Sequence, residues 1–251
     1  MVLYMKAIIL AAGYATRLYP LTLNMPKALL PIGGKPIIDH IVAQMDTVEE
    51  LDEIYVVSND KFAGHFEEWA KTAVSRVPIR VLNDGTTDDS NKRGAIGDIS
   101  FVIDEMKIDD DLMVIAGDNF FTYSLKDYVR FFREKDRDCV CVKVWEDESQ
   151  LSQFGIALLD WAGKVLDIEE KPAKPKSNTV VFAAYLYKKE TVPMFAEYLA
   201  AGNKPDAPGN FPAWLYKKQD VYAYTFDGEC YDVGTPESYH EVCEMYKAVQ
   251  E

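Results

Sequence analysis

The feature that most constrains the fold is the regular alternation of short apolar runs with amphipathic stretches in the first 145 residues. The apolar runs have the length of buried strands and cover residues 6–10, 53–58, 78–82, 111–117 and 139–145. Stretches with helical periodicity lie between them at residues 36–45, 61–74, 94–106 and 124–135. This alternation predicts βαβ units and a doubly wound, Rossmann-like, mostly parallel sheet. Such a sheet binds ligands beyond the carboxyl ends of its strands, so residues just after a strand are candidate site residues.

The pattern changes after residue 153. Apolar runs at residues 154–160 and 164–170 are separated by a short connection and predict a β-hairpin. Further runs cover residues 179–187 and 220–234, and residues 235–249 have the pattern of a closing helix. We therefore expect one α/β domain, in which the second half adds antiparallel strands and a substrate-covering portion to the same sheet.

Charge narrows the partners that this chain is expected to bind. The sequence has 41 Asp and Glu against 27 Lys and Arg, a formal charge of −14. A surface this acidic repels nucleic acid and anionic membranes, so neither is predicted as a partner. A ligand that carries phosphate would have to be held by a few well-placed cations, by backbone N–H groups or by a metal ion.

The cysteines and the N-terminal segment bear on location. Cys139 and Cys141 alternate within an apolar run, and neither they nor Cys230 and Cys243 form a C-x-x-C pair. This spacing is typical of reduced thiols in a cytoplasmic protein and not of a disulfide or zinc framework. The apolar N-terminal stretch has no basic lead segment and breaks at Gly13, so neither a signal peptide nor a membrane span is predicted.

The first candidate site follows the first predicted strand. Leu10 ends that strand, and Ala11, Ala12 and Gly13 form a turn of small residues. Small side chains let a ligand approach the backbone, so that successive N–H groups can face phosphate oxygens. A glycine turn after a strand is weak evidence by itself, because a glycine in such a turn often serves only the chain reversal.

Two cations in the following segment strengthen this interpretation. Arg17 lies four residues after Gly13, and its planar guanidinium can bridge two phosphate oxygens. Lys27 follows Pro26 and supplies a point charge. The alternative is an ordinary turn with two solvated cations, but the combination of the turn with Arg17 and Lys27 favours a phosphate site.

Two carboxylates are candidate Mg²⁺ ligands. Asp118 follows the run 111–117, where a parallel strand delivers a side chain to the ligand crevice. Asp232 ends a predicted strand, and Thr235 and Pro236 after it have the pattern of a helix start. The residues alone leave alternatives open, because Asp118 can cap the next segment and Asp232 can belong only to its turn.

A third cation, Lys171, lies in the charged segment 168–178. We expect Pro172 to force Lys171 into an extended conformation that fixes the direction of its side chain. The neighbouring Glu170 carboxylate makes the pair suitable for a ligand with both phosphate and hydroxyl groups. Lys174 and Lys176 in the same segment are interpreted as solvated.

Taken together, these segments resemble the sugar-1-phosphate nucleotidylyltransferases. The motifs occur in the family's order and at about its spacing at residues 10–38, 117–119, 154–155, 169–178 and 231–239. The resemblance is closest to the glucose-1-phosphate thymidylyltransferase and uridylyltransferase branch and covers the chain from about Lys6 to Tyr246. It implies transfer of a nucleotidyl group from UTP or dTTP to a sugar 1-phosphate, with Mg²⁺ as cofactor and pyrophosphate as second product.

The resemblance also implies roles for the candidate residues in a nucleotide-binding half up to about residue 145. The triphosphate would be held by the backbone of Leu10, Ala11, Ala12 and Gly13, with Arg17 and Lys27 as catalytic cations. Asp118 and Asp232 would share the Mg²⁺. The family contacts the base with an amide after the third strand and a downstream glycine, for which Asn83 and Gly94 are the best matches.

The second half, from about residue 146 to 251, would bind the sugar phosphate. Here Lys171 would hold the phosphate, and the sugar pocket would be lined by Gly155, Glu170 and the Val181 backbone. The attacking phosphate oxygen is largely ionised at neutral pH, so no general base is required. This agrees with the three histidines, none of which lies in a motif.

Three departures from the family's pattern bear on substrate choice. Ala15 replaces the second glycine of the family's G-x-G-T-R, the loop 83–94 is long, and Phe182–Ala183 stand where a Thr-Gly pair is common. A cytidylyltransferase acting on a sugar or polyol phosphate is therefore the runner-up. A glycosyltransferase and a non-catalytic, ligand-sensing relative are the rivals from other classes. The oligomeric state is left open, a homo-oligomer included.

Overall fold

The computed structural model describes residues 4–250, with side chains described up to residue 247. The strands are β1 (Met5–Leu10), β2 (Pro31–Ile32), β3 (Lys35–Pro36), β4 (Leu51–Ser58), β5 (Ile79–Asn83), β6 (Asp111–Ala116), β7 (Asn119–Phe121), β8 (Asp138–Val144), β9 (Gly155–Leu159), β10 (Val165–Glu170), β11 (Thr179–Tyr187), β12 (Val221–Thr225) and β13 (Cys230–Asp232). The helices are α1 (Ile37–Met45), α2 (Ala63–Ala70), α3 (Ala95–Met106), α4 (Leu125–Lys135), α5 (Met194–Ala200), α6 (Asn210–Leu215) and α7 (Pro236–Gln250).

Nine of these strands form one mixed sheet in the described part of the chain. Strands β5, β4, β1 and β6 lie side by side and run parallel. Strand β11 runs antiparallel to β6 and pairs with β9, which pairs with β10. Strand β8 also pairs with β11, and β12 extends it in parallel. The predicted doubly wound α/β sheet with an antiparallel addition is confirmed.

Alternate residues of β1 contribute to two separate cores. Ala7 and Ile9 pack with α1, α2 and α4, whereas Ile8 packs with α3, α5 and α6. A strand buried on both faces is apolar throughout, which explains the unbroken run at residues 7–10. Burying each isoleucine side chain contributes about 1.5–3 kcal/mol. These contacts fix the end of β1, and with it the turn that follows.

One strand pairing and one backbone hydrogen bond position Asp232, the second candidate carboxylate. Strand β13 pairs antiparallel with β7, and this register sets Asp232 opposite Asn119. Val233 N also donates a hydrogen bond of 3.2 Å to the Asp118 carbonyl. The chain therefore brings Asp232 beside Asp118 although the two are far apart in sequence.

Several predicted element boundaries are wrong. The predicted helix 61–74 is shorter, because α2 ends at Ala70. The run 220–234 is two strands, since the chain turns at Gly228, whose φ of +112° favours glycine. The short helices α5 and α6 are absent from the sequence-based prediction.

No helix within residues 4–250 is both long and apolar enough to cross a membrane. All four cysteines are free thiols, and Cys139, Cys141 and Cys230 are buried. Residues 1–3, which belong to the segment for which no signal peptide is predicted, lie outside the described residues.

Candidate active site

A cavity of about 510 Å³ opens at the carboxyl ends of β1 and β6. Its near side is formed by residues 10–17, Lys27 and Ala28, and by residues 116–118 after β6. Its far side is formed by Asp84, Asp89, Lys92, Gly94, Ala95, Asp98, Asp206 and Pro208. The predicted residues Leu10, Ala11, Ala12, Gly13, Arg17, Lys27, Gly94 and Asp118 all lie along this cavity.

The turn after β1 is held by its neighbours. Ala11 N donates to Val57 O and Gly117 N donates to Leu10 O, each at 2.9 Å, and buried Asn59 donates its side-chain amide to Ala12 O. No described residue accepts a hydrogen bond from the N–H groups of Ala12 or Gly13. A fixed turn with unengaged N–H groups is suited to phosphate oxygens.

Ala15 has the left-handed backbone that the family's glycine would adopt without strain. Its φ and ψ are 48° and 41°, and it begins a 3₁₀ turn over Thr16–Leu18. This conformation costs an alanine about 1–2 kcal/mol. Thr22 Oγ1 donates to Ala15 O at 2.8 Å and helps hold the turn in place. Alanine at this position therefore adds strain to the turn.

Lys27 is the point at which the predicted cations and carboxylates meet. Its Nζ lies 2.7 Å from Asp118 Oδ2 and 3.5 Å from Asp232 Oδ1. Burial disfavours the ammonium charge, but Asp118 and Asp232 outweigh burial and raise the pKa of Lys27. Partial burial and the Asp118 carboxylate raise the pKa of Asp232, while Lys27 and Arg17 act in the opposite direction. The two carboxylates therefore repel each other unless a cation lies between them.

These two carboxylates fit a Mg²⁺ ion. Mg²⁺ in nucleotide enzymes is bound through one or two carboxylates together with phosphates and water, not by a full cage of protein ligands. Among the described residues no group of three or more His, Cys, Asp and Glu could hold a metal ion, which leaves the Asp118–Asp232 pair as a partial ligand set. Because the two carboxylates repel each other, binding of a cation by both of them is favourable.

The far side of the cavity differs from the sequence-based prediction. Asn83 does not line it, because its amide donates to Asp60 Oδ1 and accepts from Gly85 N, each at 2.8 Å. Gly94 does line it, with φ of +77°, and a Cβ there would lie 2.7 Å from the Pro205 carbonyl carbon and oxygen. Only glycine fits that close approach. The segment beginning at Pro205 is thereby packed against the start of α3.

Two buried carboxyl groups on this side were missed from the sequence. Asp84 follows β5 and is 2% exposed, and Asp98 lies in the first turn of α3 and is 6% exposed. Burial, and then the neighbouring Asp84, raise the pKa of Asp98 to about 8, while the Arg93 guanidinium lowers it. The Asp98 carboxyl also shares a hydrogen bond with Asp84, so the two groups favour one shared proton.

The predicted sugar-binding residues form a second group, outside the lining of the cavity. A Cβ built on Gly155 would lie 3.0 Å from Glu170 Oε2 and 3.4 Å from Val181 Cβ, so these three residues meet at the β9–β10–β11 junction. A Cβ on Gly209 would lie 2.1 Å from Glu170 Oε2. Gly209 follows the cavity-lining Pro208, so this segment links the two groups. Burial raises the pKa of Glu170, and Lys171 lowers it.

The expected conformation of Lys171 is wrong, and Phe182 lies away from this second group. Lys171 is not extended: its φ is +48°, and its N–H donates to Phe154 O at the open end of the hairpin. Phe182 does not face Glu170, because it packs with Trp145, Phe154 and Phe226 on the opposite face of β11 from Val181. The alternation of side chains along a strand explains the second result.

Residues 6–249 match the family described as Nucleotidyl transferase. The chain belongs to this family. It is 30% identical over 185 residues to UTP–glucose-1-phosphate uridylyltransferase AglF of Haloferax volcanii, covering 73% of this chain and 72% of that protein. It is 28% identical over 235 residues to the bifunctional protein GlmU of Methanocaldococcus jannaschii, covering 92% of this chain and 52% of that protein. The chain thus spans about half the length of the second relative.

Solved structures share the fold of this nucleotidyl transferase. A structure provisionally named glucose-1-phosphate thymidylyltransferase, from Bacillus anthracis and in complex with sucrose, has a TM-score of 0.79 and 26% identity, covering 97% of this chain and 95% of that one. A UDP-glucose pyrophosphorylase complexed with UDP-glucose has a TM-score of 0.83 and 20% identity, covering 98% and 100%.

Sequence signals for the missed residues of this nucleotidyl transferase were present but weak. Asp84 is adjacent to Asn83, and a one-residue difference at the end of β5 decides which side chain enters the cavity. Asp98 lies at the fourth position of α3, where an acidic residue is common and is normally interpreted as a favourable helix-dipole contact. Asp206 and Pro208 precede a helix too short to give a periodic signal.

Proposed function

We propose that this nucleotidyl transferase joins a nucleoside triphosphate, UTP or dTTP by preference, to a sugar 1-phosphate and releases pyrophosphate. The observation that carries the proposal is the contact of Lys27 with Asp118 and Asp232 beside the turn after β1, at a cavity that Lys27 and Asp118 line. With Mg²⁺ held by the two carboxylates, the metal ion, Lys27 and Arg17 would together place positive charge where two polyanions must approach each other. The relatives' names support a sugar 1-phosphate and a uridylyl or thymidylyl donor.

The reaction needs charge neutralisation and alignment more than proton transfer. The nucleophile is a phosphate oxygen of the sugar 1-phosphate, which is largely ionised at neutral pH. It attacks the α-phosphorus of the triphosphate and displaces pyrophosphate. None of the described residues that line the cavity is a histidine, in keeping with a reaction that requires no general base.

In this proposal Arg17 and Lys27 contact the triphosphate, and Lys171 contacts the phosphate of the sugar. The turn after β1 binds the triphosphate through its N–H groups, and Arg17 spans two of its oxygens. Lys27 moves from the carboxylates to the reacting phosphates. Mg²⁺ held by Asp118 and Asp232 would neutralise charge on the triphosphate and on the leaving pyrophosphate. The expected gain comes from stabilising charge in the transition state and from in-line alignment.

The second group of residues would bind the sugar 1-phosphate. Glu170 accepts hydrogen bonds from hydroxyl groups of the sugar beside Gly155 and the Val181 backbone, and Lys171 binds the phosphate. Lys171 is exposed and follows directly after Glu170 at the end of β10, so its side chain is free to reach a ligand. The segment through Pro208 and Gly209 joins this group to the nucleotide cavity.

A pyrophosphate-release screen tests the proposal. UTP, dTTP, CTP, ATP and GTP are each combined with a panel of sugar 1-phosphates and Mg²⁺, and the nucleotide sugar is identified by mass. Asp118→Asn and Asp232→Asn are the matched inactive variants, because each keeps its size and removes a charge. Each is expected to lower turnover by on the order of 10²–10³.

We expect pyrophosphate release with UTP or dTTP and at least one sugar 1-phosphate, dependent on both carboxylates. Release only with CTP would support the cytidylyltransferase instead. Absence of release with every pair would overturn the proposed activity. Near-normal turnover of either Asp→Asn variant at limiting Mg²⁺ would remove that residue from the metal site.

A further inference from the structure

Lys27 differs from the two carboxylates in how its backbone is held. Asp118 directly follows β6 and Asp232 ends β13, so strand pairing fixes both. Lys27 instead begins a 3₁₀ turn that leads into the hairpin of β2 and β3, a separate two-stranded sheet. Leu30 N donates to Lys27 O at 3.0 Å and joins the turn to this hairpin. A two-stranded hairpin is only marginally stable alone, so the position of Lys27 depends on what the hairpin packs against.

Helix α7 packs against this hairpin at two points. Tyr239 Oη donates a hydrogen bond of 2.6 Å to Pro31 O in β2. Two turns further along α7, the Tyr246 ring covers Gly33 in the hairpin turn, where a Cβ would lie 1.9 Å from Tyr246 Cε1. Glycine allows that close approach. The two tyrosines therefore lie on one face of α7 and hold the hairpin against the helix.

The start of α7 is fixed to the segment that carries Asp232. Gly234 N donates to Asp232 O at 2.9 Å, and Ser238 Oγ accepts hydrogen bonds of 3.0 Å from both Gly234 N and Thr235 N. These bonds stiffen the connection between β13 and α7. The helix can therefore not shift without moving the segment of Asp232.

The far end of α7 is joined to the segment that carries Asp118. The Tyr246 ring meets the Phe120 ring of β7 edge to face, with centroids 5.8 Å apart, and the His40 ring of α1 contacts both of them. Phe120 is buried and lies two residues after Asp118. Aromatic pairs in this geometry stabilise a contact beyond the area that they bury. One helix thus contacts the segments of all three charged residues.

We propose that α7 is a positioning element, in which Tyr239 and Tyr246 hold Lys27 against the Asp118–Asp232 pair. Neither tyrosine is among the residues that line the cavity, so both act through Lys27 and not through substrate. The flexible side chain of a lysine has many rotamers, so a displaced backbone would let the ammonium leave the carboxylates for water. The expected effect on turnover rests on the proposed nucleotidyl transfer.

Loosening the hairpin should move two quantities in opposite useful directions. In the free protein Lys27 competes with Mg²⁺ for the two carboxylates, so a displaced Lys27 should strengthen Mg²⁺ binding. Turnover should fall, because the ammonium reaches the reacting phosphates less often. A general loss of packing would instead weaken Mg²⁺ binding, because the two carboxylates would no longer be held together.

Tyr239→Phe and Tyr246→Leu loosen the hairpin in two different ways. The first removes the hydrogen bond to Pro31 O and keeps the ring, and the second removes the ring contacts with Gly33 and Phe120. Calorimetric titration should show about two- to fivefold tighter Mg²⁺ binding to each nucleotide-free variant, and pyrophosphate release should fall by about two- to tenfold.

Tyr55→Phe is the matched control. Tyr55 Oη donates a hydrogen bond of 2.6 Å to Glu53 Oε2, and neither residue lines the cavity. This variant loses a phenol hydroxyl and a hydrogen bond of the same length as Tyr239→Phe does. It should change neither Mg²⁺ affinity nor pyrophosphate release.

Acetylation of Lys27 gives a readout that needs neither metal nor substrate. The Lys27 side chain is 13% exposed and paired with carboxylates, whereas Lys71 is 65% exposed and serves as the internal reference. Brief treatment with acetic anhydride is followed by peptide mass spectrometry. Relative to Lys71, Lys27 should be labelled several times faster in both tyrosine variants than in the wild type.

The Lys27→Met background separates positioning from stability. If the tyrosines act through Lys27, Tyr239→Phe in this background should leave Mg²⁺ affinity and residual turnover unchanged. A tyrosine that serves stability alone would change both quantities equally in the two backgrounds.

Three results would overturn the assignment. They are Mg²⁺ binding that is unchanged or weaker in Tyr239→Phe, Lys27 labelling equal to that of the wild type, and an additive loss of turnover in the Lys27→Met background. The Mg²⁺ and labelling measurements still decide the positioning role if the wild type releases no pyrophosphate, a result that would overturn the proposed function alone.

Discussion

Replacing Lys27 by methionine should separate the two tasks of the site, metal binding and catalysis. In the free protein Lys27 Nζ lies between Asp118 Oδ2 at 2.7 Å and Asp232 Oδ1 at 3.5 Å. The ammonium thus competes with a metal ion for the same two carboxylates. Without it, Arg17 is the remaining cation that acts on Asp232, and more of the repulsion is left for an added cation to relieve, so the free protein should bind Mg²⁺ more tightly. Turnover should fall, because no ammonium reaches the reacting phosphates.

The magnitude follows from distance and exposure. Two unit charges 4 Å apart interact by about 4 kcal/mol at an effective dielectric constant of 20. The side chains of Asp118 and Asp232 are 36% and 54% exposed, so solvent screening removes much of this energy. We expect about 1–2 kcal/mol of released competition, a gain of roughly five- to thirtyfold in Mg²⁺ affinity. The loss of one charge-stabilising contact should lower turnover by on the order of 10²–10³.

The assay pairs calorimetric Mg²⁺ titration of the nucleotide-free protein with pyrophosphate release at saturating substrates. Lys71→Met is the matched control, because Lys71 is exposed and forms a surface ion pair with Glu68, away from the cavity. It should change neither quantity. Unchanged or weaker Mg²⁺ binding in Lys27→Met would refute the shared use of the carboxylates, and near-normal turnover would refute the catalytic role of Lys27.

Lys171→Met should weaken binding of the sugar 1-phosphate, measured by calorimetry, by roughly 1.5–3 kcal/mol, about ten- to a hundredfold. Arg17→Met should weaken binding of the nucleotide by the same amount. The opposite pattern would mean that the two ends of the site are reversed. Ala15→Gly should raise the free energy of unfolding by up to about 1 kcal/mol, because glycine tolerates the positive φ at this position. Ala12→Gly, the control, should lower the free energy of unfolding by about 0.5–1 kcal/mol. Equal effects of the two variants in denaturant titrations would refute the strain at Ala15. The raised pKa of Asp98 means that the folded protein keeps a proton that the unfolded chain releases, so stability should fall by up to about 1.4 kcal/mol per pH unit between pH 4 and 8. Asp98→Asn should remove this slope and unfold at a higher temperature than the wild type at pH 8 but not at pH 4, and parallel melting curves would count against a neutral Asp98.

Long, strongly patterned segments made most of the fold predictable. The run ending at Leu10 is apolar throughout because β1 is buried on both faces, and the parallel order of strands follows from its alternation with helices. Helices α5 and α6 span seven and six residues, which is too short for a periodic pattern to distinguish them from loops. The residue at which a strand ends was not predictable from these patterns.

That limit explains the differences at the candidate site. Asn83 and Asp84 are neighbours at the end of β5, and only Asp84 lines the cavity, which no pattern of residue types reveals. Lys171 precedes a proline and was expected to be extended. Its backbone is instead left-handed, and its N–H donates a hydrogen bond to Phe154 O. By contrast, Lys27 and Asp118 were both identified from the sequence as candidate site residues, and the structure brings them within 2.7 Å of each other.

The central claim is that the protein catalyses attack of a sugar 1-phosphate on the α-phosphorus of a nucleoside triphosphate, and also the reverse reaction with pyrophosphate. The most direct test is to incubate the protein with Mg²⁺, ³²P-labelled pyrophosphate and UDP-glucose or dTDP-glucose. We predict labelled UTP or dTTP together with an equal amount of glucose 1-phosphate. The label should be lost in Asp118→Asn and Asp232→Asn. Release of UDP or dTDP with transfer of glucose to water or another acceptor, and no labelled triphosphate, would contradict the account and indicate a glycosyltransferase.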